Sequence, residues 1–137
     1  VRESVKARLL NESITLVCLN CGWVGSMRNK DLPDKPRCPK CGSERLGALK
    51  IDEEKVRQVI ERWREGKARS DDNEVIQYVN RTAELVSRYG KLAVLALSSR
   101  VRIDDIEEFL PKINNIDRLV LIVHELEKRE LKRRFME

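Results

Sequence analysis

Aromatic residues are scarce in this chain of 137 residues: two Trp, two Tyr and two Phe make up 4% of it. That scarcity fits a redox-active electron-transfer module poorly. Long apolar runs are missing as well. The longest, LAVLAL over 92–97 and LVLIV over 119–123, fall far short of the roughly 20 residues that a membrane-spanning helix needs. Residues 1–10 carry Arg2, Glu3, Lys6 and Arg8 where a signal peptide would require an apolar segment. The expectation is a soluble, cytoplasmic chain with no membrane partner, whose cysteines remain thiols in a reducing compartment. Glutamine occurs only at Gln58 and Gln77 while 37% of the residues are charged, a balance that leans towards a thermophilic source. There is no GxxxxGK[ST] loop, no DExx-type metal-binding strand and no paired-carboxylate motif placed in a pocket, so the chain as given lacks the parts of an ATPase.

What the chain does have is four cysteines in two knuckles, Cys18 and Cys21 in CLNCG and Cys38 and Cys41 in CPKCG, with 16 residues between the pairs. Two thiolates two residues apart can bite one ion from a single tight turn. Two such turns supply the tetrahedral set that zinc prefers. Gly22 and Gly42 follow the second cysteine of each pair and allow the chain to turn away at positive φ. Four sulfur ligands close the coordination sphere and leave no position for water or substrate, which argues for one structural Zn²⁺ and against hydrolytic chemistry. A rubredoxin-type iron site shares these knuckles, because thiolates suit either metal. A redox-active CxxC pair is the weaker rival, since two pairs at this spacing already have a use.

The formal net charge of +5 is unevenly spread. Residues 1–50 hold ten Lys/Arg and five Asp/Glu, whereas residues 51–137 hold eighteen of each. Four thiolates and one zinc ion together contribute about −2, which leaves the first segment basic at about +3. Its cations Arg28, Lys30, Lys35, Arg37, Lys40, Arg45 and Lys50 accompany Trp23. Together they form a candidate surface for phosphate contact, with base stacking on the indole. Read singly, each cation is a solvated side chain and Trp23 a residue packed under the knuckle.

Periodicity gives the architecture. Val1, Val5 and Leu9 stand at i, i+4 spacing in a helix fragment over 1–13, with no cap and no start methionine, as if cut from something longer. Residues 14–50 read as an antiparallel zinc ribbon: strands over 14–18, 23–27 and 45–50, and a turn-rich loop over 29–35 where Pro33 and Pro36 rule out a ladder. From residue 51 the period becomes helical, predicting an all-helical bundle of four or five helices over 51–137 and an α+β fold. Val56, Val59, Ile60 and Trp63 mark the first helix, closed by Gly66. Asp71 with Glu74 resembles a capping box for a second helix over 73–89, which Gly90 ends. Residues 92–97 form a short buried helix, Asp104 caps another that Pro111 terminates, and a long helix covers 116–135.

Arg100 and Arg102 bracket the turn between the two short helices, a degenerate helix-hairpin-helix-like arrangement near 91–111. Ser98, Ser99, Arg100, Val101 and Arg102 stand where hairpin glycines would crowd a phosphate. The one histidine, His124, reads as a packing residue, and residues 128–134 as a basic, solvated helix end or a docking surface.

The stretch LVCLNCGWVGSMRNKDLPDKPRCPKCGSERLGALK over 16–50 resembles the zinc-ribbon segment near the C-terminus of archaeal large helicase-related proteins, the Lhr family of superfamily-2 helicases. RYGKLAVLALSSRVRIDDIEEFL over 88–110 is similar to the segment that follows there. The resemblance implies an accessory, non-catalytic region of an ATP-dependent helicase whose motor domains, in the same polypeptide, bind ATP. Its other partner would be single-stranded or branched DNA or RNA. It transfers Cys18, Cys21, Cys38 and Cys41 as metal ligands; the family's glycine-containing hairpin is replaced here by residues 98–102. The rivals are a protein-interaction module and a freestanding transcription or translation factor.

Overall fold

The computed structural model describes residues 2–136. Val1, the first of the predicted i, i+4 positions, and Glu137, the last residue of the predicted bundle segment, lie outside the described residues. The chain is α+β: a three-stranded antiparallel sheet and six α-helices, the first of which precedes the sheet. The strands are β1 (Ser13–Cys18), β2 (Val24–Arg28) and β3 (Leu46–Leu49), ordered β2-β1-β3. The helices are α1 (Arg2–Asn11), α2 (Glu53–Arg64), α3 (Asp72–Tyr89), α4 (Lys91–Leu97), α5 (Ile103–Phe109) and α6 (Ile116–Met136). Six exceeds the four or five expected of the bundle because α1 joins it. Leu9 is buried in the same core as Leu119 and Val123 of α6, and Lys6 and Arg8 pair with Asp117 and Glu127.

β1 is buried without a break from Ile14 to Cys18 for a direct reason: both faces of this central strand are covered. Ile14, Leu16 and Cys18 face a core shared with α3, α4, α5 and α6. Val17, with Val24 and Leu49, faces a second core completed by Val56 and Ile60 of α2 and Val79 of α3. A strand buried on one face would alternate; one buried on both reads as a continuous hydrophobic stretch. The aliphatic faces of α2 and α3 are thus spent on the sheet.

The free edge of β3 is closed by α3. Thr82 Oγ1 accepts a hydrogen bond from the Ala48 N–H (3.0 Å) and donates one to the Val79 carbonyl (3.0 Å). Helix and strand approach so closely at Gly47 that a Cβ there would lie 2.5 Å from Val79 Cγ1 and 2.9 Å from the Val79 carbonyl oxygen. Covering an edge in this way satisfies its backbone and blocks further strand pairing.

Several caps differ from expectation. Asp52 caps α2 through the Lys55 N–H (3.3 Å), and α2 closes with Gly66 N–H to Trp63 O (3.1 Å) and Lys67 N–H to Arg62 O (2.7 Å), the paired bonds of a Schellman turn. At α3, however, Asp71 makes no capping bond. The neighbouring Asp72 is the buried carboxylate, accepting from the Arg69 N–H (3.0 Å) and from two nitrogens of Arg62 (2.8 and 2.7 Å), which ties α2 to α3. Asp104 does not cap α5 either: Arg81 of α3 draws its carboxylate away (2.8 Å) and also pairs with Glu107.

Candidate metal centre and its cationic surround

The first knuckle leaves the end of β1 and returns as β2; the second stands just before β3. Each is a tight turn closed by a backbone bond, Gly22 N–H to Cys18 O (2.9 Å) and Gly42 N–H to Cys38 O (2.8 Å), with φ of +84° and +79° at the two glycines. Leu19 N–H to Arg45 O (3.0 Å) joins the two turns at one end of the sheet, and Cys38 N–H to Ser43 O (2.9 Å) closes the second further. The four Sγ atoms converge there, all within 4.8 Å of one another. Cys18 and Cys41 are 3.5 Å apart and Cys21 and Cys38 3.6 Å. Ligands at about 2.3 Å around a tetrahedral ion would stand about 3.8 Å apart, a spacing that falls between the two close pairs and the 4.8 Å limit of the cluster. All four are free thiols.

N–H donors surround three of the sulfurs. The Cys21 N–H points at Cys18 Sγ (3.5 Å), and the Lys40 and Cys41 N–H groups at Cys38 Sγ (both 3.4 Å). The Asn20 side chain donates to Cys41 Sγ (3.5 Å), and with help from the Ser43 backbone it lowers the Cys41 thiol to about 6. Burial pushes Cys18 up to about 12 in the metal-free cluster. Burial thus keeps Cys18 a neutral thiol unless a cation beside it stabilises the thiolate. Arg64 of α2 lies over the first knuckle, its guanidinium 3.5 Å from the Asn20 carbonyl, so α2, Asn20 and Cys41 form a chain of contacts. That support, supplied from 44 residues downstream, has no signal in the sequence. One metal ion fits the donor set, and with four sulfurs around it the ion would cross-link the two turns.

The predicted cations do not form one stripe. Antiparallel register carries Arg28 to the end of the sheet away from the cysteines, opposite Ser13, about 13 Å from the knuckle end at 3.4 Å per residue. Lys30 follows it. Lys40 lies in the second knuckle and Arg45 just beyond it, at the metal end. Lys35 belongs to the intervening loop, where the Asp34 carbonyl accepts from the Lys91 N–H (2.8 Å). Arg28, Lys30, Lys35, Lys40 and Arg45 are exposed and make no ion pair among the described residues. Arg37 pairs with Glu44 (2.9 Å). Lys50 donates to the Ser98 carbonyl (2.8 Å) and stands 3.8 Å from Glu12, which engages it within the fold. Trp23 is half-buried against the larger core, its indole laid across Gly25.

Four backbone amides of the 98–102 corner are already engaged, Ser98 and Ser99 by the carbonyls of α4. The Arg100 N–H donates to Glu127 (2.9 Å) and the Val101 N–H to Ser99 Oγ (3.2 Å), while Ser98 and Ser99 are buried. His124 is half-buried on α6 and stands apart from the thiol cluster. Among the described residues no helix is long and apolar enough to cross a membrane. Comparison with known proteins returns no match to a family profile, to a curated protein or to a solved structure.

Proposed function

We propose that this chain is a zinc-braced, non-catalytic module that holds single-stranded or branched nucleic acid beside a helicase-type motor. Zinc is the ion that best suits four thiolates in a closed tetrahedral set with no redox demand. The observation that carries the binding role is the set of five exposed cations, Arg28, Lys30, Lys35, Lys40 and Arg45, unpaired among the described residues, on a segment fixed by the cysteine cluster and by two hydrophobic cores. Cations free of internal partners can exchange counterions for phosphates, and a rigid backbone keeps them in register with a strand. The helicase setting rests on the resemblance of residues 16–50 and 88–110.

The test is a salt series of oligonucleotide binding by the metal-loaded chain. Affinity should fall steeply with salt, with a log–log slope of about −0.7 per phosphate engaged on a single strand. Lys40→Glu with Arg45→Glu removes the cations of the metal end, and Arg28→Glu with Lys30→Glu those of the far end. At least one pair should reduce both affinity and slope. Salt-insensitive binding, or no effect from either pair, would discard the strand-holding role and favour a protein-interaction module.

A further inference from the structure

The loop between the two knuckles does more than connect them. At Gly90, between α3 and α4, φ is +63° and a Cβ would lie 2.2 Å from the Asp34 carbonyl oxygen. Only glycine permits this approach, and the Lys91 N–H bond to Asp34 O fastens it. The ribbon loop is thereby pinned to a helical corner, and beside the pin lies a groove of about 550 Å³. Its size falls in the range of small-ligand sites.

Three cations reach this groove from separate elements: Lys35 from the loop, Arg88 from the last turn of α3 and Lys91 from the start of α4. Lys35 and Lys91 have no acidic partner among the described residues, and Arg88 has only a solvent-exposed contact with Glu84 (3.6 Å). Tyr89 supplies an aromatic wall and Leu95 part of an apolar floor. Asp34 is the one carboxylate in the lining. Asn114 stands at the far side, and its Oδ1 accepts from Asn115 (3.1 Å) while its amide nitrogen donates to nothing among the described residues. Asn115 is spent on capping α6 through the Arg118 N–H (2.9 Å).

From this juxtaposition we infer that the groove seats one nucleotide of a single strand, its base against Tyr89 and within reach of the Asn114 carboxamide, its phosphate between Lys35 and Lys91. An acidic peptide would use the cations alone. A nucleotide uses the ring, the carboxamide and the cations together, because it presents a flat π-face, a hydrogen-bonding edge and a phosphate. The inference rests on the strand-holding role proposed above and gives it a specific seat.

The experiment uses the metal-loaded full chain, twelve-residue oligo-dT and oligo-rU, and anisotropy titrations at several salt concentrations, with NMR of the Asn114 side-chain amide. Lys91→Gln should shrink the salt slope by about 0.7, the share of one phosphate contact. Tyr89→Leu keeps an apolar side chain in the wall but removes the stacking face; it should weaken binding about tenfold with the slope unchanged. The Asn114 amide should shift on titration. Should Tyr89→Leu fail to fold, Lys91→Gln and the Asn114 signal carry the test alone. If the ribbon-end pairs weaken binding while both groove variants and the Asn114 amide stay indifferent, the seat is refuted and the strand-holding role stands. If no oligonucleotide binds at low salt, both fall. If poly-glutamate moves the Asn114 amide and the oligonucleotides do not, the groove takes acidic peptides and the nucleotide assignment is wrong.

Discussion

Gly47→Ala tests the joint between ribbon and helices most directly. The added methyl would sit 2.5 Å from Val79 Cγ1 and 2.9 Å from the Val79 carbonyl oxygen. Ordinary carbon contacts lie near 3.5–4.0 Å, so α3 must retreat from β3 by about 1 Å. Overpacking of this kind costs about 1–3 kcal/mol. The retreat also stretches the 3.0 Å bond from the Ala48 N–H to Thr82 Oγ1, worth about 1 kcal/mol. The expected loss is therefore about 2–4 kcal/mol. For a chain of this length a loss of 1 kcal/mol lowers the melting temperature by about 3–4 °C, which predicts a drop of about 7–14 °C by calorimetry of the metal-loaded protein. Thr82→Val removes the same hydrogen bond by itself. Because both changes break one bond, the double variant should be less destabilised than the two singles added together, by about 1 kcal/mol. A Gly47→Ala protein within about 0.5 kcal/mol of the parent, with additive energies in the double variant, would refute the close approach.

Chelating the metal should loosen the knuckles and leave most of the fold standing, since Ile14, Leu16 and Val17 of β1 are held in two cores built mainly of aliphatic side chains from the helices. Amide exchange should accelerate over residues 18–22 and 38–42 while α3 and α4 stay protected; complete loss of helical circular dichroism on chelation would overturn this. Acid should weaken the α2–α3 clasp. Hydrogen bonds from Arg62, then from the Arg69 amide, hold the Asp72 carboxyl well below the usual carboxylate range, so its contribution is fully present above about pH 4 and is lost as pH falls through the depressed value. Arg81 lowers Asp104 in the same direction. Asp72→Asn should flatten the acid limb of a stability–pH profile, and an unchanged limb would remove Asp72 from it. Gly90→Ala should detach the Asp34 loop, since the methyl collides with that carbonyl. The expected signature is faster exchange of the Lys91 amide, and unaltered protection there would contradict the pinned geometry.

The knuckles and most helices were legible because each rests on a local rule. A two-residue cysteine spacing needs no partner elsewhere to be read, and Val56, Ile60, Ile76, Val79, Ala83 and Val86 repeat at helical spacing whatever they pack against. The three strands stand within a residue or two of their predicted bounds, and the two-sided burial of β1 explains why four of its six residues are apolar. What escaped the sequence depends on distant pairs. Asp71 and Asp72 are adjacent aspartates, and only the positions of Arg62 and the Arg69 amide select the second. Asp104 looked like a cap until Arg81, 23 positions earlier, drew it away. Position along the chain suggested one cationic stripe, whereas antiparallel register sent Arg28 and Lys50 to the end opposite Lys40 and Arg45. The contact of Arg64 with Asn20 and the grouping of Lys35 with Arg88 and Lys91 likewise exist only after folding.

Covering β1 on both sides also decides how portable this cysteine-rich hairpin is. The side chains that shield Leu16 and Val17 come largely from outside residues 13–50, from Leu9 of α1 and from α2 to α6. Excised and loaded with metal, the hairpin would show two greasy faces to water and clump. It is a keystone cut for one arch, and evolution could not shuffle it into a new setting without carrying its neighbours along.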